Sequence, residues 1–140
     1  MLGDVTDKNT AAGTADNPTQ RESLDAATDA LVGEWLTLPD VAERFGIQVT
    51  RVRQLLRDNQ LIAARRGENN ALHIPAGFIV DDHTVKGLTG TLTLLKDAKF
   101  TDEEALRWLF TPDESLPGTP VDALRENRGT EVRRRAQAEL

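Results

Sequence analysis

Arginine and glutamine side chains crowd one face of a predicted helix in the middle of the chain. The stretch T-R-V-R-Q-L-L-R-D-N, residues 50–59, places Val52, Leu55 and Leu56 together on one side of a helix. The opposite face has no apolar member and consists of Thr50, Arg53, Gln54 and Arg57, with Arg51 on its flank. Arginine can bind guanine, and glutamine can bind adenine, through paired hydrogen bonds to the base edge. This face therefore predicts contacts with the bases or phosphates of double-stranded DNA.

A second amphipathic helix is predicted directly before this one. Its apolar positions have the i, i+3, i+4, i+7 spacing of one helical face and are Leu38, Val41, Ala42 and Phe45. Thr37 is a suitable N-cap, and Gly46 can end the helix in the left-handed conformation. Gln48 lies just before the helix of residues 50–59 and is also a predicted DNA contact. Two helices separated by so short a turn indicate a helix-turn-helix.

A basic hairpin is predicted after the two helices. The stretch R-R-G-E-N-N, residues 65–70, is typical of a hairpin tip, here between predicted strands Ile62–Arg65 and Ala71–Ile74. Such a wing can reach an adjacent phosphate or the minor groove. The predicted contacts on it are Arg65, Arg66, Asn69 and Asn70.

The order of these pieces resembles that of known winged-helix domains. A helix followed by G-I-Q-V-T, R-V-R-Q-L-L, N-Q-L-I-A and R-R-G is similar to excisionase-type and MerR-type domains, which place the second helix in the major groove. Two other interpretations stay open from the residues alone. A solvated helix face explains Arg53 and Arg57 equally well, and the same helix pair also occurs in modules that bind only proteins.

Composition limits the class of protein. The chain has 140 residues, of which 39% are hydrophobic, so one domain, or one small domain with an appendage, is expected. It has no cysteine, which excludes disulfides and thiolate metal sites. There is no apolar run long enough to span a membrane and no signal-peptide core, so we expect a soluble, cytoplasmic protein without membrane contact.

Of three segments of the chain, only the one with the predicted helix-turn-helix and wing has a net positive charge. Residues 35–75 carry six basic and four acidic side chains, a net charge of +2, in a chain whose net charge is −6. Residues 1–34 carry seven acidic and two basic side chains, and residues 76–140 carry twelve and nine. So small a positive charge predicts weak and strongly salt-dependent non-specific binding, which favours a dimer or a modest binder.

The first 27 residues are predicted to form a disordered acidic tail. They hold almost no large apolar side chain, so burial cannot offset the entropy lost on ordering. An inert tail is one interpretation. The alternatives are a tail that competes with DNA for the basic face, or a phosphorylation site, for which the candidates are Thr10, Thr14 and Thr6. A phosphate would add about −1.5 to −2 charges.

The rest of the chain is divided into two regions. Residues 28–80 are assigned to the winged helix-turn-helix, and residues 81–140 to a helical region packed on it. The predicted fold class is mainly α. It comprises a winged helix-turn-helix with a small two-stranded wing, a C-terminal helical bundle and the disordered N-terminal tail.

Local signals predict four helices in the C-terminal region. Leucine spacing indicates one helix within residues 84–99, and a capping box at Thr101 begins a second, which Thr111-Pro112 ends. Thr119-Pro120 begins a third helix. Gly129 is expected to end that helix, and Thr130 to cap the last one.

The C-terminal half carries a second resemblance. W-L-F-T-P at 108–112, L-P-G-T-P-V-D-A-L at 116–124 and R-G-T-E-V at 128–132 are similar to the C-terminal domain of antitoxins of the Xre/MbcA/ParS type. That resemblance implies a small helical bundle that pairs with a toxin-like protein or with a second copy of itself.

Residues 36–140 as a whole resemble one actinobacterial family of DNA-binding proteins, which also has a threonine-containing tail. In its mycobacterial member an N-terminal threonine is phosphorylated by a membrane Ser/Thr kinase, protein kinase L. The resemblance implies double-stranded DNA and a Ser/Thr kinase as partners, and Thr10 is nearest in position to the family site. The implied function is specific or semi-specific DNA binding by a transcriptional regulator. The alternative is a protein-interaction module.

The chain's reactive side chains do not indicate an enzyme. There are only two histidines, His73 and His83, and two serines, Ser23 and Ser115, and no nucleophile, base and acid occur in a catalytic pattern. A glycine-rich phosphate loop after a strand is also missing. We therefore expect no catalytic site, no metal site and no cofactor.

Overall fold

The computed structural model describes residues 24–140. Its helices are α1 (Ala26–Val32), α2 (Leu38–Phe45), α3 (Val49–Arg57), α4 (Leu88–Asp97), α5 (Asp102–Phe110), α6 (Pro120–Arg125) and α7 (Gly129–Gln137). Its strands are β1 (Trp35–Thr37), β2 (Ala64–Arg66), β3 (Ala71–Pro75), β4 (Ile79–Val80) and β5 (His83–Thr84), and a 3₁₀ turn covers Ala76–Phe78. The mainly helical fold with a winged helix-turn-helix and a helical C-terminal region is confirmed.

The helix-turn-helix is built from signals that lie close together in the sequence. Thr37 caps α2: its hydroxyl accepts a hydrogen bond from the Asp40 N–H at 3.1 Å, and the Asp40 carboxylate accepts one from the Thr37 N–H at 3.0 Å. Gly46 ends α2 in the left-handed conformation, with φ of 67°. Both features match the sequence prediction because capping depends on residues only a few positions apart.

The wing has one strand more than the sequence predicted. β1, β3 and β2 form a three-stranded antiparallel sheet in that order, with Leu36 of β1 opposite Ile74 of β3. The expected two-stranded wing is therefore wrong in its number of strands. β2 also begins two residues later than predicted, because Ile62 is buried in the core rather than paired in the sheet.

Two helix boundaries in the C-terminal region differ from the prediction, whereas α4 begins at Leu88, within the predicted residues 84–99. α6 ends at Arg125, and Asn127, with φ of 65°, takes the left-handed conformation that was expected at Gly129. Gly129 is instead the first residue of α7, so Thr130 lies inside that helix and does not cap it. The predicted capping box at Thr101 is confirmed, and Thr119 caps α6 as predicted.

The predicted tail extends too far towards the C-terminus. The Asp25 carboxylate caps α1 by accepting hydrogen bonds from the Ala27 and Thr28 N–H groups, at 2.7 and 3.2 Å. Residues 26 and 27, which we had assigned to the tail, therefore lie in a helix. The three phosphorylation candidates, Thr6, Thr10 and Thr14, lie outside the described residues.

The winged helix-turn-helix and the C-terminal helices share one hydrophobic core. Phe78 is fully buried, and its ring centroid lies 5.6 Å from that of Phe110 on α5. The Arg125 guanidinium on α6 donates hydrogen bonds to the carbonyls of Gly77 and Ile79, at 3.0 and 2.9 Å. No helix among residues 24–140 is both long and apolar enough to cross a membrane.

A shared core predicts that the two halves unfold together. Phe78→Ala should lower the free energy of unfolding by about 3–5 kcal/mol, because it leaves a cavity between them. A single transition should persist in thermal melts followed by far-UV circular dichroism. Leu31→Ala is the matched control: its side chain is 40% exposed, so the change should be within about 0.5 kcal/mol. Two separate transitions in the wild-type chain would contradict the shared core.

Candidate nucleic-acid interface

The core decides which face of α3 points outward. Val52 is fully buried and Leu55 is 8% exposed, so both lie against the rest of the domain. The predicted contacts on the other side have side chains that reach solvent. Gln48, Thr50, Arg51, Arg53 and Arg57 are exposed, and Gln54 is partly exposed. The orientation predicted from helical periodicity is thus the one observed.

Gln54 links two of its neighbours on the surface of α3. Its side-chain oxygen accepts a hydrogen bond from the Arg57 guanidinium at 2.9 Å, and its side-chain nitrogen donates to the Asp58 carboxylate at 2.9 Å. These exposed bonds are weak in competition with water. They lay the Gln54 and Arg57 side chains along the surface of α3.

The tip of the wing is a compact turn. Gly67 has φ of 83° and Asn70 has φ of 53°, and the Asn70 N–H donates to the Gly67 carbonyl at 3.1 Å. The Arg65 guanidinium donates to the Asn70 carbonyl at 3.1 Å and so braces the turn from the side. Asn69 is exposed at the tip.

Arg66 has a different environment from the other predicted contacts. Its guanidinium donates two hydrogen bonds to the Asp29 carboxylate, at 2.9 and 3.0 Å, and lies 5.0 Å from the ring centre of Trp35. Its side chain is 31% exposed. The hydrogen bonds from Arg66 hold the pKa of the Asp29 carboxyl below its ordinary value, so Asp29 is ionised near neutral pH.

A groove of about 670 Å³ separates α3 from the wing. It brings together Arg53 of α3 with four wing residues that the sequence predicted, Arg65, Arg66, Asn69 and Asn70. The other predicted residues of α3 do not line it. The groove also includes Thr37 and His73, which lie opposite each other on β1 and β3.

Sequence reasoning missed four residues of this region: Asp29, Trp35, Thr37 and His73. Asp29 and Arg66 are 37 positions apart, and no local spacing connects them. Thr37 was recognised only as a helix cap. The alternation of β1 could have indicated a third strand, but three residues are too few for a clear period-2 signal.

The described residues contain no group of three or more His, Cys, Asp or Glu side chains that could hold a metal ion. α3 and the wing present arginine, glutamine and asparagine side chains, which supply hydrogen-bond donors and positive charge. Such groups bind anionic polymers by direct contact.

Two family models match the chain. One, described as the wHTH domain of DNA-binding protein Rv2175c, matches residues 23–79, and the other, described as the Rv2175c C-terminal domain of unknown function, matches residues 85–139. DNA-binding protein Rv2175c of Mycobacterium tuberculosis is 42% identical over 131 aligned residues, which cover 83% of this chain and 88% of the relative. The chain belongs to the Rv2175c family.

The structure agrees with this relationship. The NMR structure of Rv2175c matches with a TM-score of 0.69 at 42% identity, over 75% of this chain and 80% of that one. The boundary between the two matched regions falls at the β4–β5 hairpin. These matches do not test the resemblance to excisionase-type and MerR-type domains or to antitoxins, which stays a prediction.

The Asp29–Arg66 pair predicts a specific pH dependence of stability. Because the pKa of Asp29 is lowered in the folded state, its contribution is present above about pH 4 and is lost as the pH falls through the folded value. Asp29→Asn should therefore lower the free energy of unfolding by about 0.5–1 kcal/mol near pH 7.

The difference between wild type and Asp29→Asn should shrink in denaturant titrations below about pH 4. Glu68→Gln, which alters an exposed carboxylate in the same wing, should show no comparable loss. An Asp29→Asn effect that stays constant down to strong acid would contradict an ionic role for the pair.

Proposed function

We propose that the chain binds double-stranded DNA through α3 and the wing and acts as a cytoplasmic transcriptional regulator. The observation that carries this proposal is the outward face of α3, which is entirely polar and presents Arg53, Gln54 and Arg57 beside a groove lined by wing arginines. The relative's name, DNA-binding protein Rv2175c, and the wHTH description of residues 23–79 support it.

Each side chain has a distinct role in this proposal. α3 enters the major groove, where Arg53, Gln54 and Arg57 read base edges through paired hydrogen bonds. The residues that position the protein on the backbone are Gln48, Thr50, Arg51, Arg65, Asn69 and Asn70. Arg66 is left out of this set because its guanidinium is committed to Asp29.

The charge distribution sets the expected strength of binding. The net charge of +2 over residues 35–75 supplies few phosphate contacts, so affinity should fall steeply as salt rises but start from a modest value. Binding by one copy would then be semi-specific, and a second copy on an adjacent half-site would raise the affinity.

Phosphorylation of the N-terminal segment is a further part of the proposal. A phosphate on Thr10, Thr14 or Thr6 would add about −1.5 to −2 charges to a chain whose DNA-binding region has a net charge of only +2. A Ser/Thr kinase would thereby weaken DNA binding. Mass spectrometry after incubation with such a kinase should find phosphothreonine among residues 1–23, and its absence would remove this part.

A specific surface favours the alternative, protein-interaction function of the C-terminal half. Phe100, Trp108, Pro112 and Pro120 line an open groove of about 370 Å³ on and beside α5. Phe100 and Trp108 are partly exposed, and aromatic side chains are enriched at protein interfaces. The partner is either a second copy or a toxin-like protein. Sedimentation equilibrium of the wild-type chain and Trp108→Ala would detect self-association through this groove.

Arg53→Ala tests the assignment of α3 as the recognition helix. It should weaken binding to a preferred duplex by about 1–3 kcal/mol and reduce discrimination between duplexes, because a base contact is lost. Fluorescence anisotropy against a panel of duplexes measures both effects. Arg134→Ala, an exposed arginine on α7, is the matched control and should bind like wild type. Equal loss in the two variants would show that α3 is not the reading element.

A further inference from the structure

The position of α1 depends on the C-terminal half. α1 has seven residues, and a helix this short is not stable by itself in water. It packs chiefly on α5 rather than on the helix-turn-helix. Leu24, Thr28 and Val32, spaced four residues apart, face the core, and Thr28 is fully buried. α1 is therefore held in place by the half of the chain that lies after the wing.

Polar contacts reinforce this packing. The Arg107 guanidinium on α5 donates a hydrogen bond to the Thr28 hydroxyl at 3.4 Å and lies 3.5 Å from the Asp25 carboxylate. Glu103, one turn earlier on α5, pairs with the same guanidinium at 3.0 Å. Asp25 in turn caps α1. The Arg107 side chain on α5 thus contacts both Asp25, which caps α1, and Thr28, which is buried on the inner face of α1.

The next acidic residue of α1 reaches in the opposite direction. Asp29 receives both hydrogen bonds of Arg66, which is the last residue of β2 before the wing turn. Arg66 pairs with Ala71 across the sheet, so its position also fixes the start of β3. A two-point contact between guanidinium and carboxylate restricts orientation as well as distance. The Trp35 ring beneath the guanidinium restricts it further.

We propose that the C-terminal half sets the position of the wing through α1, with Asp29 and Arg66 as positioning residues. The matched domain of unknown function would then determine DNA affinity without touching DNA. This inference rests on the proposed function, because its main readout is DNA binding. It assigns Arg66 to the support of the wing rather than to a phosphate.

The opposite role for Arg66 makes opposite predictions. If Arg66 contacted phosphate, Asp29 would compete with DNA for it, and Asp29→Asn would tighten binding. If Arg66 positions the wing, Asp29→Asn should weaken binding, even though it removes a negative charge. The sign of the effect therefore separates the two roles.

The first experiment compares two variants at the pair with wild type, all as full chains, by anisotropy titration at several salt concentrations. Asp29→Asn and Arg66→Lys should each weaken binding by about three- to tenfold. Lysine keeps the charge that a phosphate needs but lacks the planar fork that grips Asp29. Glu34→Gln, an exposed carboxylate between α1 and β1, controls for charge and should bind at least as tightly as wild type.

The second experiment dislodges α1 from the C-terminal half. Thr28→Gln puts a larger side chain into a fully buried position, whereas Ala30→Gln puts the same side chain on the exposed face of the same helix. Thr28→Gln should weaken DNA binding about as much as Asp29→Asn, and combining the two should add little. Ala30→Gln should bind like wild type.

A measurement on the free protein tests, without DNA, whether α1 stabilises the position of the wing. Amide hydrogen exchange of the β2–β3 ladder should be faster in Asp29→Asn and Thr28→Gln than in wild type, and unchanged in Ala30→Gln and Glu34→Gln. Core amides of α5 should remain protected in all four variants, which shows that the chain is still folded.

The outcomes distinguish a failure of the proposed DNA binding from a failure of the proposed positioning of the wing. If the wild-type chain binds no duplex even at low salt, the proposed function is overturned, and this inference with it. If the wild type binds, but Asp29→Asn or Thr28→Gln binds equally well or better, only this inference is overturned. An Arg66→Lys variant with wild-type affinity would also overturn it, because a retained charge would then be sufficient.

Discussion

The rest of the candidate interface depends on one constraint, the burial of Val52 and Leu55 on the inner face of α3. A helix exposes the face opposite to the one it buries, so these two side chains determine that Arg53 and Arg57 point to solvent. Replacing either buried residue by a polar one would rotate or release the helix. The outward residues would then no longer be held in the positions that the proposed DNA contacts require. Packing of Val52 and Leu55 thus determines which residues of α3 are available to the proposed DNA interface.

The wing illustrates how a small amount of positive charge is positioned in an acidic protein. Of the two wing arginines, Arg65 braces the turn and Arg66 is held by Asp29, so neither is a freely moving cation. In the proposed DNA complex Arg65 would therefore lose less entropy than a mobile side chain. This would matter in a chain whose net charge is −6, which has no large basic surface to attract DNA.

The sequence predicted features that depend on neighbouring residues and missed those that depend on distant ones. The helix caps at Thr37, Thr101 and Thr119 and the outward face of α3 were predicted correctly, since each involves residues within one or two helical turns. The third strand, the Asp29–Arg66 pair and the contact of Phe78 with Phe110 join segments far apart in the chain. Nothing in their local spacing marks them.

Competition between two suitable residues explains the error at the end of α6. Gly129 and Asn127 can both take the left-handed conformation that ends a helix, and the chain uses Asn127, so Gly129 starts the next helix instead. For the candidate site, periodicity identified the α3 residues, but it could not show that Arg66 is engaged. An arginine that the sequence predicts to be exposed is available for DNA binding only if no carboxylate elsewhere in the fold already binds its guanidinium.

The most direct test of DNA binding through α3 and the wing is an NMR titration of the isotope-labelled full chain with a mixed-sequence duplex. The account predicts that amide shifts change over residues 48–57 and 64–71 and that α6 and α7 are largely unaffected. Shifts concentrated around Phe100 and Trp108, with α3 unchanged, would contradict it and would place the binding function in the C-terminal groove.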